Sequence, residues 1–343
     1  MRAGHLHLCG NLTLPIAVSS TMKRPGLILS SFLIAGAVIL VGSPSAVTQD
    51  DPAPTLSIAA SKPDLTPDAS GVLSQQQMQQ LLRVVAEKDM ENDKRLRDYT
   101  YIERDVHHNL DHNGQVKSTE ITTYDVMEIE GEQVQRLTEK NDKPLDAKDA
   151  AKEDEKIQKI IDKRKNESEE ARKKREQKEE KDREDDRKFV LEVADAYNFH
   201  LVGTESLGGR EAWVIDAEPR PGYEPHMKEA KFLPKFRGRV WIDKSDMQLS
   251  KMDVQCIDTV SVGLFLARIH KGTRFVYEQT RVNDEVWLPK HLDVKLDVRL
   301  ALLKEYDANL EQSFRDYKKF RTSAKILSVG DVKENPPSNA PQR

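Results

Sequence analysis

The sequence predicts a mainly-β fold with helices: a long antiparallel meander packed on an amphipathic helix and interrupted by one charged helical insertion. Three observations predict it. Residues 285–300, EVWLPKHLDVKLDVRL, alternate between apolar and polar with a single lapse at Lys290, the period of a strand with one greasy and one wet face. Short turn signals separate at least eight such runs, and strands joined by short turns pair antiparallel without crossover helices. Ahead of them Met78, Leu81, Leu82 and Val85 recur at helical spacing, which makes one apolar stripe on an otherwise polar helix.

The chain has 343 residues and a net charge of -4, with a third of its residues charged, enough for one large or two ordinary domains. Neither a basic nor an acidic excess points to nucleic acid or to a strongly charged partner. At the N-terminus Met22-Lys23-Arg24 precedes GLILSSFLIAGAVILVG and then SPSA, the order of a secretory signal peptide cleaved after Ser45 or Ala46. Residues 1–46 are assigned to it, with Met22 as a second candidate start; a retained membrane anchor is the alternative. Residues 47–71 carry repeated prolines and little apolar mass and read as a disordered linker, as do residues 329–343 as a tail.

Ser74 opens the helix, and Gln77 completes a capping box. From Tyr99 the period changes to two. YTYIERDVHH and QVKSTEITTYDVMEIE flank a turn with Asn113-Gly114, a strong hairpin signal, and EQVQRLTEK adds a third strand. Residues 141–190 form the insertion, almost wholly charged with near-equal signs and with Glu and Lys or Arg at i,i+4. That spacing supports a solvated, protruding helix or helix pair; disorder is the alternative. Only Ile157, Ile160 and Ile161 cluster, and no heptad seam follows, so a stable coiled coil is not expected. Strands resume after Phe189, Val190 and Ala194, with turns at Gly208-Gly209, at SDM and at NDE.

Few residues offer chemistry. His107, His108, Asp111 and His112 could ligate zinc, but they fall at a strand end and turn where side chains diverge. Ser206 near Gly208-Gly209 lacks the nucleophile-elbow spacing. No Walker or dinucleotide glycine loop is present. Carboxylates are abundant, yet a pair becomes a candidate only in a pocket that perturbs its pKa. Cys256 is the one cysteine left after removal of the export segment, and its parity with Met252 and Val254 makes it a buried small hydrophobe. No catalytic residue, metal site or cofactor is assigned, and the chain is not read as an enzyme.

The apolar pattern carries more. The even-numbered residues of 286–300, Lys290 excepted, supply seven apolar sites, while the helix offers about four. The surplus would line a space for an apolar ligand. Its candidate lining is Met78, Leu82, Val85, Phe275, Tyr277, Leu288, Leu292, Val294 and Leu296. Leu264, Phe265 and Leu266, in the greasy run SVGLFLARIHKG, form either a buried plug at the sheet's end or a lid over that ligand.

FRGRVWIDKSDMQLSKMDVQ and EVWLPKHLDVKL, behind an export signal and an amphipathic helix, resemble the LolA/LolB/RseB-like lipoprotein-sorting superfamily. The likeness covers roughly residues 74–140 and 195–325. It implies an unclosed antiparallel β-barrel, or half-barrel, wrapping helices over residues 72–140 and 191–328, located in the periplasm or cell envelope. It also implies a concave face that carries or senses lipid or lipoprotein acyl chains. The charged insertion departs from that plan. A second reading therefore stays open: an envelope protein-protein interaction module that uses the charged helix and has no ligand cavity. The sequence assigns no nucleic-acid partner and does not set the oligomeric state.

Overall fold

The computed structural model describes residues 63–129, 132–262, 267–300 and 304–320. The export segment, most of the linker, Leu264, Phe265 and Leu266, and the C-terminal tail lie outside the described residues. Of the stretch read as linker, residues 63–71 are described, and Pro63 and Leu65 are buried. The segment is tied to the helix that follows, because Gln77 Nε2 donates to the carbonyls of Asp64 and Thr66.

A short strand β1 (Val72–Leu73) leads into α1 (Gln75–Leu96). The capping box forms as the sequence predicts: Ser74 Oγ accepts from Gln77 N, and Gln77 Oε1 accepts from Ser74 N. β2 (Tyr99–Leu110), β3 (Val116–Ile129), β4 (Glu132–Lys140) and β5 (Lys143–Pro144) follow. The insertion forms α2 (Ala147–Lys165) and α3 (Glu169–Ala196). Strands follow, with two 3-10 turns (Lys228–Ala230 and Leu233–Lys235) between the second and third of them: β6 (Tyr197–Leu207), β7 (Arg210–Pro219), β8 (Phe236–Asp243), β9 (Leu249–Cys256), β10 (Val260–Val262), β11 (Ala267–Ile269), β12 (Arg274–Val282), β13 (Val286–Leu300) and β14 (Lys304–Lys319).

All the strands join one antiparallel sheet in the order β1-β6-β7-β8-β9-β12-β13-β14-β2-β3-β4-β5, with the β10–β11 hairpin added beside the far end of β13. β1 and β5 end the order and do not pair with each other, so the barrel is unclosed. Three hairpins turn on two residues of positive φ: Gly208-Gly209, Asn141-Asp142 and Asn283-Asp284. That backbone suits the twist of the flanking strands, and Gly, Asn and Asp are the residues that adopt it at least cost.

The main core lies between α1 and the first half of the sheet, joining Met78, Leu81, Leu82 and Val85 to Phe199, Ile215, Ile242, Met252, Phe275 and Leu292. The end of α3 docks here through Phe189, Val190 and Ala194. Glu192 fixes the neighbouring loop by accepting from the backbone N–H groups of His226 and Met227.

The insertion is less free of the fold than its composition suggests. Ile157 and Ile161 are buried against Ile129 and Val134. Alternation puts Ile129 and Val134 on the face opposite to Val126 and Gln135, so α2 packs on the outside of the sheet. Arg164 and Arg175 both pair with Glu167, linking the two helices.

Candidate functional site

The inward face is the face on which α1 packs, and directly paired residues share a face. One inward row therefore crosses the sheet as Ile215, Val240, Met252, Tyr277, Leu292, Gln312, Asp105 and Thr122. The next runs Ala217, Gly238, Val254, Phe275, Val294, Leu310, His107 and Glu120. Both rows start apolar and turn polar around β14. The concave face thus has two halves of different chemistry.

The apolar half gathers most of the sequence candidates. Met78, Leu82, Val85, Phe275, Tyr277, Leu292 and Val294 belong to one buried cluster, with Leu296 packed against it and partly exposed. Leu288 does not join them. Gln279 pairs with Pro289 and Glu278 with His291, so Lys290 is an extra residue that shifts the alternation. Val286 and Leu288 pack instead with Leu96 and Tyr99 in a separate cluster. The lapse in the sequence pattern is a bulge, and the single greasy face breaks there. Cys256 is fully buried in the main core.

The polar half centres on Glu103 and Asp105, two residues apart on β2. Gln135 Nε2 donates to both carboxyl oxygens of Glu103 at 3.0 Å. Gln312 Nε2 donates to Glu103 Oε1 at 3.2 Å and to Asp105 Oδ1 at 3.0 Å. Burial, and for Glu103 the neighbouring Asp105 carboxylate, push both acids above the ordinary carboxylate range. Among the described residues no lysine or arginine pairs with either. Tyr101 stands beside them, its ring 6.0 Å from Phe314 and 5.1 Å from Tyr317, and Gln133 Nε2 donates to its hydroxyl at 2.9 Å. Further along, Asp89 of α1 accepts from Gln248 at 3.0 Å. Burial and the Asp93 carboxylate raise Asp89 to about 7.

Sequence reasoning missed this half. Its signal was present: Tyr101, Glu103, Asp105 and His107 are alternate residues and so share one face of a strand, but nothing local says that this face turns inward.

The motifs that carry the family resemblance meet at one corner instead. Arg210 forms a bidentate pair with Asp243, both bonds at 2.7 Å. Asp243 Oδ1 also accepts from the N–H groups of Ser245 and Asp246. Burial opposes its charge, but Arg210 and these amides hold its carboxyl below the usual range. Asp246 accepts from Trp287 Nε1 at 2.9 Å and pairs with Arg210 and Arg281, each at 3.0 Å. Arg210 lies over the Trp287 ring at 5.4 Å. The corner binds its own turn and is structural.

The histidine-rich turn separates as well. His107 faces inward and His108 faces outward, where it meets Thr119 Oγ1 at 2.7 Å. Asp111 accepts from Asn113 N and Gln115 N within its own turn.

Three of the solved structures to which the chain is similar follow. The first is a putative outer membrane lipoprotein-sorting protein domain from Vibrio parahaemolyticus, at 13% identity and a TM-score of 0.30, covering 71% of this chain and 95% of that one. A LolA superfamily protein from Nitrosomonas europaea matches at 11% identity and a TM-score of 0.28, covering 73% and 97%. A DUF1329 family protein from Desulfovibrio piger matches at 11% identity and a TM-score of 0.24, covering 71% and 92%. No family model and no curated protein sequence matches the chain.

Proposed function

We propose that this protein is an exported carrier or sensor that holds hydrocarbon chains of a lipid or lipoprotein against the concave face of its half-barrel. The observation that carries this reading is the continuation of apolar residues past the buried core. Val294 is 5% exposed, but Leu296 and Val298 beyond it, and Leu310 on β14, are only partly buried. A folded domain gains by covering such a strip, and each methylene placed there contributes roughly 0.8 kcal/mol. The hairpin that pairs with this end of β13 places Ile269 opposite Val298.

Export rests on the basic and apolar N-terminal segment, and N-terminal sequencing of native protein should begin close to Ala46 or Val47. Among the described residues no helix is long and apolar enough to cross a membrane.

The test of the carrier reading is Leu296→Trp beside Val294→Phe, read by urea denaturation and by uptake of a fluorescent fatty-chain probe. Leu296 is only partly buried, so on this reading tryptophan there should abolish probe uptake at a cost below about 1 kcal/mol, less than overpacking a filled core. Val294 is packed, and phenylalanine there should overpack at about 1–3 kcal/mol. A parent protein that takes up no probe and co-purifies with no lipid in native mass spectrometry would overturn the reading.

A further inference from the structure

The polar half of the concave face needs an account of its own, because a hydrocarbon chain has no use for a buried acid pair. Glu103 is 4% exposed and Gln312 is 6% exposed. Their hydrogen bonds use every donor the carboxamides bring: Gln135 and Gln312 point N–H groups at the acids. What remains on the carboxamides is acceptors. The Oε1 of Gln312, on the carboxamide that lies across the acid pair, has no hydrogen-bond partner, and neither has the buried Oε1 of Gln279. Gln279 reaches the same region through Tyr277, to whose hydroxyl it donates at 3.1 Å. An unpartnered acceptor on a side chain more than nine-tenths buried is costly, and the group that satisfies it must be a donor.

The walls agree with that requirement. Phe314 and Tyr317 both contact Tyr101 beside Glu103. Aromatic faces attract a cation through their quadrupole, and carboxylates attract it directly. The cluster holds carboxylates, carboxamide oxygens and aromatic rings, with no lysine or arginine paired to the acids among the described residues. The adjoining inward neighbours are apolar: Leu292 pairs with Gln312, and Leu310 lies next in the row toward Val294.

We propose that Glu103, Asp105 and Gln312 receive a primary ammonium group carried on a hydrocarbon chain, with Tyr101, Phe314 and Tyr317 as its aromatic wall and the chain running toward Leu310 and Leu296. This rests on the apolar-chain reading above and adds the head-group chemistry. The three N–H groups of the ammonium meet two carboxyl groups and the free carboxamide oxygen. A fatty carboxylate would meet two further acids and no cation, so this site selects against the commonest anionic amphiphiles.

The test uses the mature full chain and a matched ten-carbon series, decylammonium, decanol and decanoate, each measured by calorimetry below its micellar concentration. Decylammonium should bind one to one and about tenfold or more tighter than decanol, with decanoate no tighter than decanol, since hydrogen bonds to charged groups are the strong ones. Glu103→Gln and Asp105→Asn should each lose about tenfold for decylammonium and leave decanol unchanged. Circular dichroism checks that each variant folds. Phe314→Leu gives an independent reading of the aromatic wall, because it removes no charge and should still weaken decylammonium alone. If decanol and decanoate bind and decylammonium gains nothing, the ammonium site is wrong and the apolar reading stands. If no member of the series binds, both fail.

Discussion

Asn92 links α1 to the sheet in a way that gives a sharp test of how the half-barrel is held together. β13 begins at Val286, but its pairing with β14 starts only at His291 with Ser313. Residues 286–290 therefore present one edge with no neighbouring strand. Asn92 takes the strand's place: its Oδ1 accepts from Trp287 N at 2.6 Å, and its Nδ2 donates to Trp287 O at 2.6 Å. Tyr317 does the same two residues on, donating to Pro289 O. Asn92 is 9% exposed and Trp287 is 7% exposed, so water does not readily replace the carboxamide. Asn92→Leu keeps the branched shape and removes both bonds. Each orphaned backbone group costs about 1–3 kcal/mol. Leucine there, one helical turn before the buried Leu96, returns about 1 kcal/mol by apolar burial. The net loss should be about 1–5 kcal/mol. Equilibrium urea denaturation measures it, with the slope against urea unchanged, as for a change in stability alone. Tyr317→Phe, which removes one bond, should cost about 1 kcal/mol by the same reasoning. A loss below about 0.5 kcal/mol for Asn92→Leu would mean that the Trp287 backbone finds other partners and that the edge is not closed by this side chain.

Two further predictions concern other parts of the fold. Asp89 is raised from 3.8 to about 7 by burial and by Asp93, so between those values the folded state keeps a proton that the unfolded chain has released. Stability from this group is present at the acid end and falls as pH rises through that window. Asp89→Asn should flatten that fall and stabilise the protein above neutrality; denaturation curves that shift in parallel at every pH would refute it. Glu103 and Asp105 slope the same way and keep part of the dependence in the variant. On the outer face, Ile161→Ala should cost about 2 kcal/mol, the low end for a buried isoleucine in a small cluster. Hydrogen exchange should then rise in α2 and β4 while the main core stays protected. Unchanged exchange in α2 would show that the helix is held by its ion pairs and not by Ile157 and Ile161.

The amino-acid sequence by itself determined the features that depend on neighbours in the chain. Ser74 and Gln77 start α1 because the capping box closes within four residues. Gly208-Gly209 and Asn283-Asp284 set hairpins because two backbone conformations suffice. Alternation along 292–298 fixed one face of a strand because successive side chains must point to opposite sides. The tertiary structure decided what those faces meet. Gln312 and Glu103 are 209 residues apart, and only the register of β14 on β2 brings them together. The same parity rule that grouped Leu288 with Leu292 fails at Lys290, because a bulge answers to the partner strand and leaves only a lapse in the sequence. Ile157 and Ile161 looked too few to anchor a helix until β3 and β4 supplied Ile129 and Val134. Burial is a property of pairs of distant segments: alternation makes a face, and only packing decides whether that face becomes core, a lining for a chain, or a wall for a charge.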